Sequence, residues 1–123
     1  MTKLLLVAAL SEGATGLILL AYPPIVIRLL FGEEIAGAGV FMSRVAGISL
    51  IALGVACWPD SASLWPLYAM LTYSSSVMLY LAYVGFGGQA GILLWPAVAV
   101  HAILSVLLVR AWLQQRKTPE ATT

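Results

Sequence analysis

Three ionisable side chains stand inside long apolar stretches of this sequence. Glu12 lies within "LLVAALSEGATGLILL", Arg44 follows "GVFMS", and His101 lies within "WPAVAVHAILSVLL". A carboxylate can exchange protons or pair with a cation, arginine binds carboxylate or phosphate, and histidine titrates near neutral pH. These residue types can therefore build an ion pair, a proton relay or a general acid–base pair.

Tyrosines form a second set of candidate residues. Tyr73, Ser76, Tyr80 and Tyr83 follow one another at steps of three, four and three, so they share one face of a helix. Ordinary helix packing is one interpretation of this stripe, and the wall of a ligand site is the other.

The residues that share a helix face with each ionisable side chain predict which faces meet inside the bundle. Glu12 shares a small, polar face with Ala8, Ser11, Thr15, Gly16 and Leu19. Arg44 borders a stripe of Ser43, Gly47, Leu50 and Gly54, and His101 shares a face with Ala97, Leu104, Ser105 and Leu108. Because tight helix contacts in membranes use such faces, we expect all of them to turn inward. The predicted result is an intramembrane polar cluster of Glu12, Arg44, His101, Tyr73 and Tyr80.

Two arrangements of Arg44 are open. Glu12 lies roughly 13 Å along its helix from Lys3, near the middle of a hydrocarbon core about 30 Å thick. An ionised side chain there costs about 2.5–3.5 kcal/mol. If Arg44 leans inward, it pairs with Glu12 and the pair is a structural link. If Arg44 extends outward to the lipid head groups, Glu12 becomes a candidate proton-handling site.

The composition predicts an all-α membrane protein. Of the 123 residues, 62% are hydrophobic and only 9% charged, and the mean hydropathy is +1.01. A soluble domain carries about 25% charged residues. A net charge of +1 excludes a basic surface for nucleic acid. The single cysteine, Cys57, cannot form an internal disulfide, and the sequence has no metal-ligand spacing, cofactor motif or soluble-enzyme signature. We therefore expect no cofactor, no metal and no enzymatic activity.

Four stretches are long enough to cross a bilayer, at residues 3–22, 38–58, 65–86 and 90–112. Short connections predict an up-down bundle of four transmembrane helices, forming a single domain over residues 1–113 with a polar tail at 114–123. The segment "PPIVIRLLFGEE" between the first two spans predicts a short interfacial helix, with Pro24 in its first turn and Gly32 as its stop. Alternatively, residues 24–31 prolong the first span with a kink.

Basic residues predict the orientation. Lys3, Arg110, Arg116 and Lys117 fall on one side of the predicted bundle, and Arg28 falls on the other. Because basic residues concentrate on the cytoplasmic side, both termini are expected to be cytoplasmic, and the lipid bilayer is the expected surrounding partner.

Two segments carry a resemblance to known proteins. "SEGATGLILLAYPPIVIRLLFG" and "GVFMSRVAGISLIALGVACWPD" contain a Glu-Gly before an apolar run, an Arg-Leu-Leu-x-Gly after proline, and an Arg-x-x-Gly leading to Leu-Gly-x-x-x-Trp. This half of the chain resembles a set of small uncharacterised bacterial four-helix membrane proteins. The resemblance implies four helices and a location in the bacterial inner membrane, but no activity. A remoter likeness to DoxX-like proteins covers only size and helix count.

Small multidrug resistance transporters offer a weaker analogy. They have four helices and an essential membrane-embedded glutamate in the first helix, and Glu12 stands in a comparable place. Their third-helix aromatic-glycine motif is missing here, and Arg44 and His101 have no counterpart. Their near-balanced loop charges also differ from the bias of this chain.

The sequence favours the first of three functions, with the second as the main alternative and the third as a further one. The first is a non-enzymatic accessory subunit that self-associates or joins a larger membrane complex. The second is a proton-coupled small-molecule transporter acting as a homodimer, with Glu12 exchanging protons and His101 as a relay. The third is a binder of a lipid or quinone, with the tyrosine stripe as a wall and Arg44 near the head group.

Overall fold

A computed structural model describes residues 1–60 and 62–117, and every regular element in this part of the chain is an α-helix. Its elements are α1 (Thr2–Ala21), α2 (Pro23–Phe31), α3 (Ala38–Ala56), α4 (Trp65–Phe86) and α5 (Leu94–Lys117). The predicted all-α fold class is confirmed. Helices α1, α3, α4 and α5 are each long and apolar enough to cross a membrane, which is consistent with a multi-pass membrane protein.

Helix α2 is a separate short helix. The backbone at Tyr22 leaves the helical region, with φ −143° and ψ 75°, and Pro23 opens the next turn. At the other end Gly32 adopts φ 71°, and its N–H donates to the Arg28 carbonyl at 2.9 Å. A left-handed glycine of this kind ends a helix, so the predicted stop at Gly32 is confirmed. Residues 24–31 therefore do not simply prolong α1.

Helix α5 differs from the predicted span at both ends. It begins at Leu94 rather than at residue 90, because the N–H groups of Gly91 and Leu93 donate to the carbonyls of Leu30 and Leu29, each at 2.8 Å. It continues to Lys117 rather than ending at 112, and its last turn carries basic residues that suit the negative end of the helix dipole. The first residues of the expected polar tail are thus helical, and residues 118–123 lie outside the described residues.

Helices α1 and α3 pack in close antiparallel contact. A methyl group added at Gly47 would lie 2.7 Å from the carbonyl oxygen of Gly16, and one added at Gly54 would lie 2.8 Å from that of Ala9. Only glycine lets two backbones approach this closely. Gly16 of the face predicted for α1 and Gly47, Leu50 and Gly54 of the stripe predicted for α3 lie at this interface. The expected inward turn of Ser11 and Thr15 is wrong, because both are exposed, and Ala9 and Gly13 face α3 instead.

Helices α4 and α5 form a second antiparallel pair. The indole Nε1 of Trp112 donates to the Tyr68 hydroxyl at 3.2 Å near one end. Near the other end, Gly85 lies against Leu94 and Trp95. Helix α1 joins the two pairs through a core of buried side chains, formed by Leu5, Ala8, Cys57, Leu67, Met70, Leu108 and Ala111. Helix α3 packs mainly on α1 and has almost no contact with α4.

Candidate functional site

Glu12 is buried inside the protein. Its side chain is only 7% exposed and lies on the face of α1 that carries Ala8 and Gly16. The carboxylate interacts with the hydroxyl of Tyr73 on α4, the polar side chain that lies beside it. A buried carboxylate needs such a donor, because an unpartnered polar group in an apolar surrounding is costly.

Tyr73 also contacts His101 on α5. The two rings meet edge to face, with centroids 5.9 Å apart and planes at 75°. Three helices thus contribute to what we call the Glu12–Tyr73–His101 cluster. The contact between Tyr73 and His101 is one of rings and is not among the hydrogen bonds of the described residues.

Unused hydrogen-bonding atoms lie beside the cluster. Within residues 1–60 and 62–117, the buried atoms His101 Nδ1 and Ser74 Oγ have no hydrogen-bond partner. Such atoms are uncommon in folded proteins and call for an explanation.

Serines hold α4 and α5 together next to His101. Ser75 Oγ donates to Ser105 Oγ at 3.4 Å, and Ser105 Oγ donates to the His101 carbonyl at 2.8 Å. Hydrogen bonds of this kind link helices in membranes. They fix the segment of α5 that carries the imidazole.

A groove separates α3 from α4. It has a volume of about 500 Å³ and is lined by Ala46, Ser49, Leu50 and Leu53 of α3 and by Tyr73 of α4. This volume falls within the range of small-molecule sites, about 300–1,000 Å³. We call it the α3–α4 groove. Its lining is mostly apolar, and Tyr73 connects it to Glu12.

Two of the predicted cluster residues lie elsewhere. Arg44 is exposed on α3, and Tyr80 is 63% exposed on α4. Among the residues that the structure describes, the only ion pair joins Arg28 and Glu34, so Arg44 does not pair with Glu12. The antiparallel register explains this, because Gly47 faces Gly16 and Gly54 faces Ala9. Glu12 is therefore level with the middle of α3, roughly 10 Å along the axis from Arg44.

Sequence reasoning missed the α3–α4 groove and the serine contact. The signal for the groove was present, since Ala46, Ser49, Leu50 and Leu53 follow the spacing of one helical face. The run Tyr73-Ser-Ser-Ser also carried hydroxyls able to reach a neighbouring helix. Neither pattern reveals how far apart two helices stand.

Comparisons of the chain with known protein families, characterised proteins and solved structures found no match. The resemblances seen in the sequence therefore stay predictions.

Proposed function

We propose that this chain is a multi-pass protein of the bacterial inner membrane, whose four long helices cross the bilayer as an up-down bundle. The helices of 20, 19, 22 and 24 residues match the length of about 20 residues that a spanning helix needs. Lys3, Arg116 and Lys117 lie at helix ends on one side, and Arg28 lies on the other. This bias supports cytoplasmic termini.

The function that the geometry supports best is binding of an elongated apolar molecule with a hydrogen-bonding head group, of the lipid or quinone class. One observation carries this proposal. The α3–α4 groove is apolar along α3 and meets a tyrosine whose hydroxyl interacts with a buried carboxylate. Binding sites for small molecules combine an apolar lining with a few placed polar groups in this way.

The apolar chain and the head group of such a ligand contact different parts of the groove. The apolar chain lies along Ala46, Leu50 and Leu53, where α4 leaves α3 uncovered. The head group reaches Tyr73, the polar side chain that α4 contributes to the groove lining.

Native mass spectrometry of the chain, extracted from its own membranes in a mild detergent, tests the proposal. We expect a monomer that retains a defined small mass. Ala46→Phe places a large side chain in the groove and should remove that mass. Val45→Phe is the matched control, because Val45 is 54% exposed on α3 and does not line the groove.

A second comparison concerns the head group. Tyr73→Phe should lower the retained fraction, whereas Tyr80→Phe on the exposed part of the same helix should not. Retention that is equal in wild type, Ala46→Phe and Tyr73→Phe would refute the groove as the site.

An accessory subunit is the second candidate function. Phe41, Val45, Ile48 and Val55 form an exposed apolar stripe on α3 at helical spacing, on a helix that has almost no contact with α4. A helix of a partner protein fits such a stripe. In that case the chain copurifies with another membrane protein, and Val45→Phe rather than Ala46→Phe disrupts the complex.

A homodimer without a partner would instead favour the proton-coupled transporter, in which Glu12→Gln abolishes transport and Glu12→Asp keeps part of it.

A further inference from the structure

A second cavity lies at the end of the protein where the chain start, the α3–α4 connection and the end of α5 meet. Its volume is about 440 Å³, and its lining includes Ser63, Tyr68, Trp112, Gln115 and Arg116. It is separate from the α3–α4 groove, with which it shares no lining residue. We call it the terminal cavity.

The polar groups of the terminal cavity are arranged as donors. The Tyr68 hydroxyl oxygen accepts a hydrogen bond from Trp112 Nε1 at 3.2 Å, so its own proton is left to donate. Ser63 Oγ likewise accepts from the Trp65 N–H at 3.2 Å and keeps its proton. The side-chain amide of Gln115 adds further donor capacity.

Arg116 adds a positive charge to the lining of the terminal cavity. The Arg116 guanidinium lies 4.1 Å from the centroid of the Trp112 ring, a cation–π contact that holds it at the cavity. Asp60, in the same connection, accepts the Ala62 N–H at 2.9 Å and is not among the lining residues. Donors and a cation around one cavity complement an anion, above all a phosphate group.

We propose that the terminal cavity binds the phosphate of an anionic phospholipid head group. This inference rests on the proposed membrane placement but not on the α3–α4 groove. In that placement the cavity lies at the cytoplasmic face, at the depth where tryptophan side chains and lipid phosphates meet. Arg116 contacts the phosphate, and Tyr68 and Ser63 donate to its oxygens. Trp112 orients both Tyr68 and Arg116 and is a positioning residue.

The test is a titration of the detergent-purified full chain with phosphatidylglycerol or phosphatidylcholine, followed by native mass spectrometry. Wild type should prefer the anionic lipid. Arg116→Gln should weaken that binding about tenfold, as expected for the loss of a charge-assisted contact. Arg110→Gln is the matched control, because Arg110 is an exposed arginine of the same helix that does not line the cavity. It should change the affinity less than about twofold.

Three outcomes would overturn the inference. Equal affinity for the two lipids excludes recognition of the anionic head group. Equal losses in Arg116→Gln and Arg110→Gln assign the effect to general surface charge. Displacement of the lipid by millimolar inorganic phosphate makes free phosphate the ligand. Ala46→Phe should leave this binding unchanged, so failure here and failure of the groove proposal are distinguishable.

Discussion

Gly16→Ala should destabilise the protein because it separates α1 from α3. The added methyl group would lie 2.6 Å from the Gly47 carbonyl oxygen and 2.9 Å from Leu50 Cβ. Both distances fall short of the optimal separation of about 3.5–4.0 Å. Because the two obstacles are a backbone atom and a Cβ, neither can rotate away. The helices must move apart by on the order of 0.5–1 Å, a gap that forfeits a quarter to a half of each dispersion contact.

Gly13→Ala is the matched control on the same helix, since a methyl group there meets no atom within 4 Å. Both substitutions gain the same helix propensity, so the difference between them isolates the interface. We expect Gly16→Ala to be less stable than Gly13→Ala by about 1–3 kcal/mol, the usual cost of overpacking. The measurement is reversible unfolding in mixed micelles of a mild detergent with increasing dodecyl sulfate, followed by circular dichroism. Equal stability of the two variants would refute the close α1–α3 contact.

The remaining predictions use the same unfolding assay. Gly91→Ala should cost about 1–3 kcal/mol, because its methyl group would lie 2.7 Å from the Arg28 carbonyl oxygen, whereas Gly39→Ala in α3, with neighbours no closer than 3.6 Å, should be neutral or slightly stabilising. A near-neutral Gly91→Ala would contradict the docking of α2 on the start of α5. Leu67→Ala empties a fully buried position and should cost about 2 kcal/mol or more, while Leu79→Ala, 65% exposed, should cost far less. Similar losses at both positions would argue against the core around Leu67. Glu34→Gln breaks the exposed pair with Arg28 and should cost less than about 1 kcal/mol, with a smaller effect still in high salt. A larger loss that salt leaves unchanged would show that this pair is shielded from solvent.

Local signals in the sequence predict the helices well. Apolar length locates the four long helices, and Pro23 and Gly32 delimit α2, because each residue has a fixed backbone consequence. The first residue of α5 cannot be predicted from local signals, because it depends on hydrogen bonds that Gly91 and Leu93 donate to a distant part of the chain.

The cluster is predictable in part. Helical spacing places Glu12, Tyr73 and His101 on inward faces, and the structure brings these three together. Arg44 shows the limit of the method. Depth counted from the ends of predicted spans ignores the register between antiparallel helices, which is determined here by Gly16, Gly47 and Gly54. The α3–α4 groove depends on the separation of two helices, which no single segment encodes.

The pairing of α1 with α3 and of α4 with α5 bears on the order of assembly. Each pair joins long helices that are neighbours along the chain, so each can form from local contacts while synthesis proceeds from the N-terminus. The α3–α4 groove is the seam between these two halves, with one wall from each. It is therefore the last part of the molecule to form, and the Glu12 carboxylate lacks its tyrosine partner until the second half of the chain has been made.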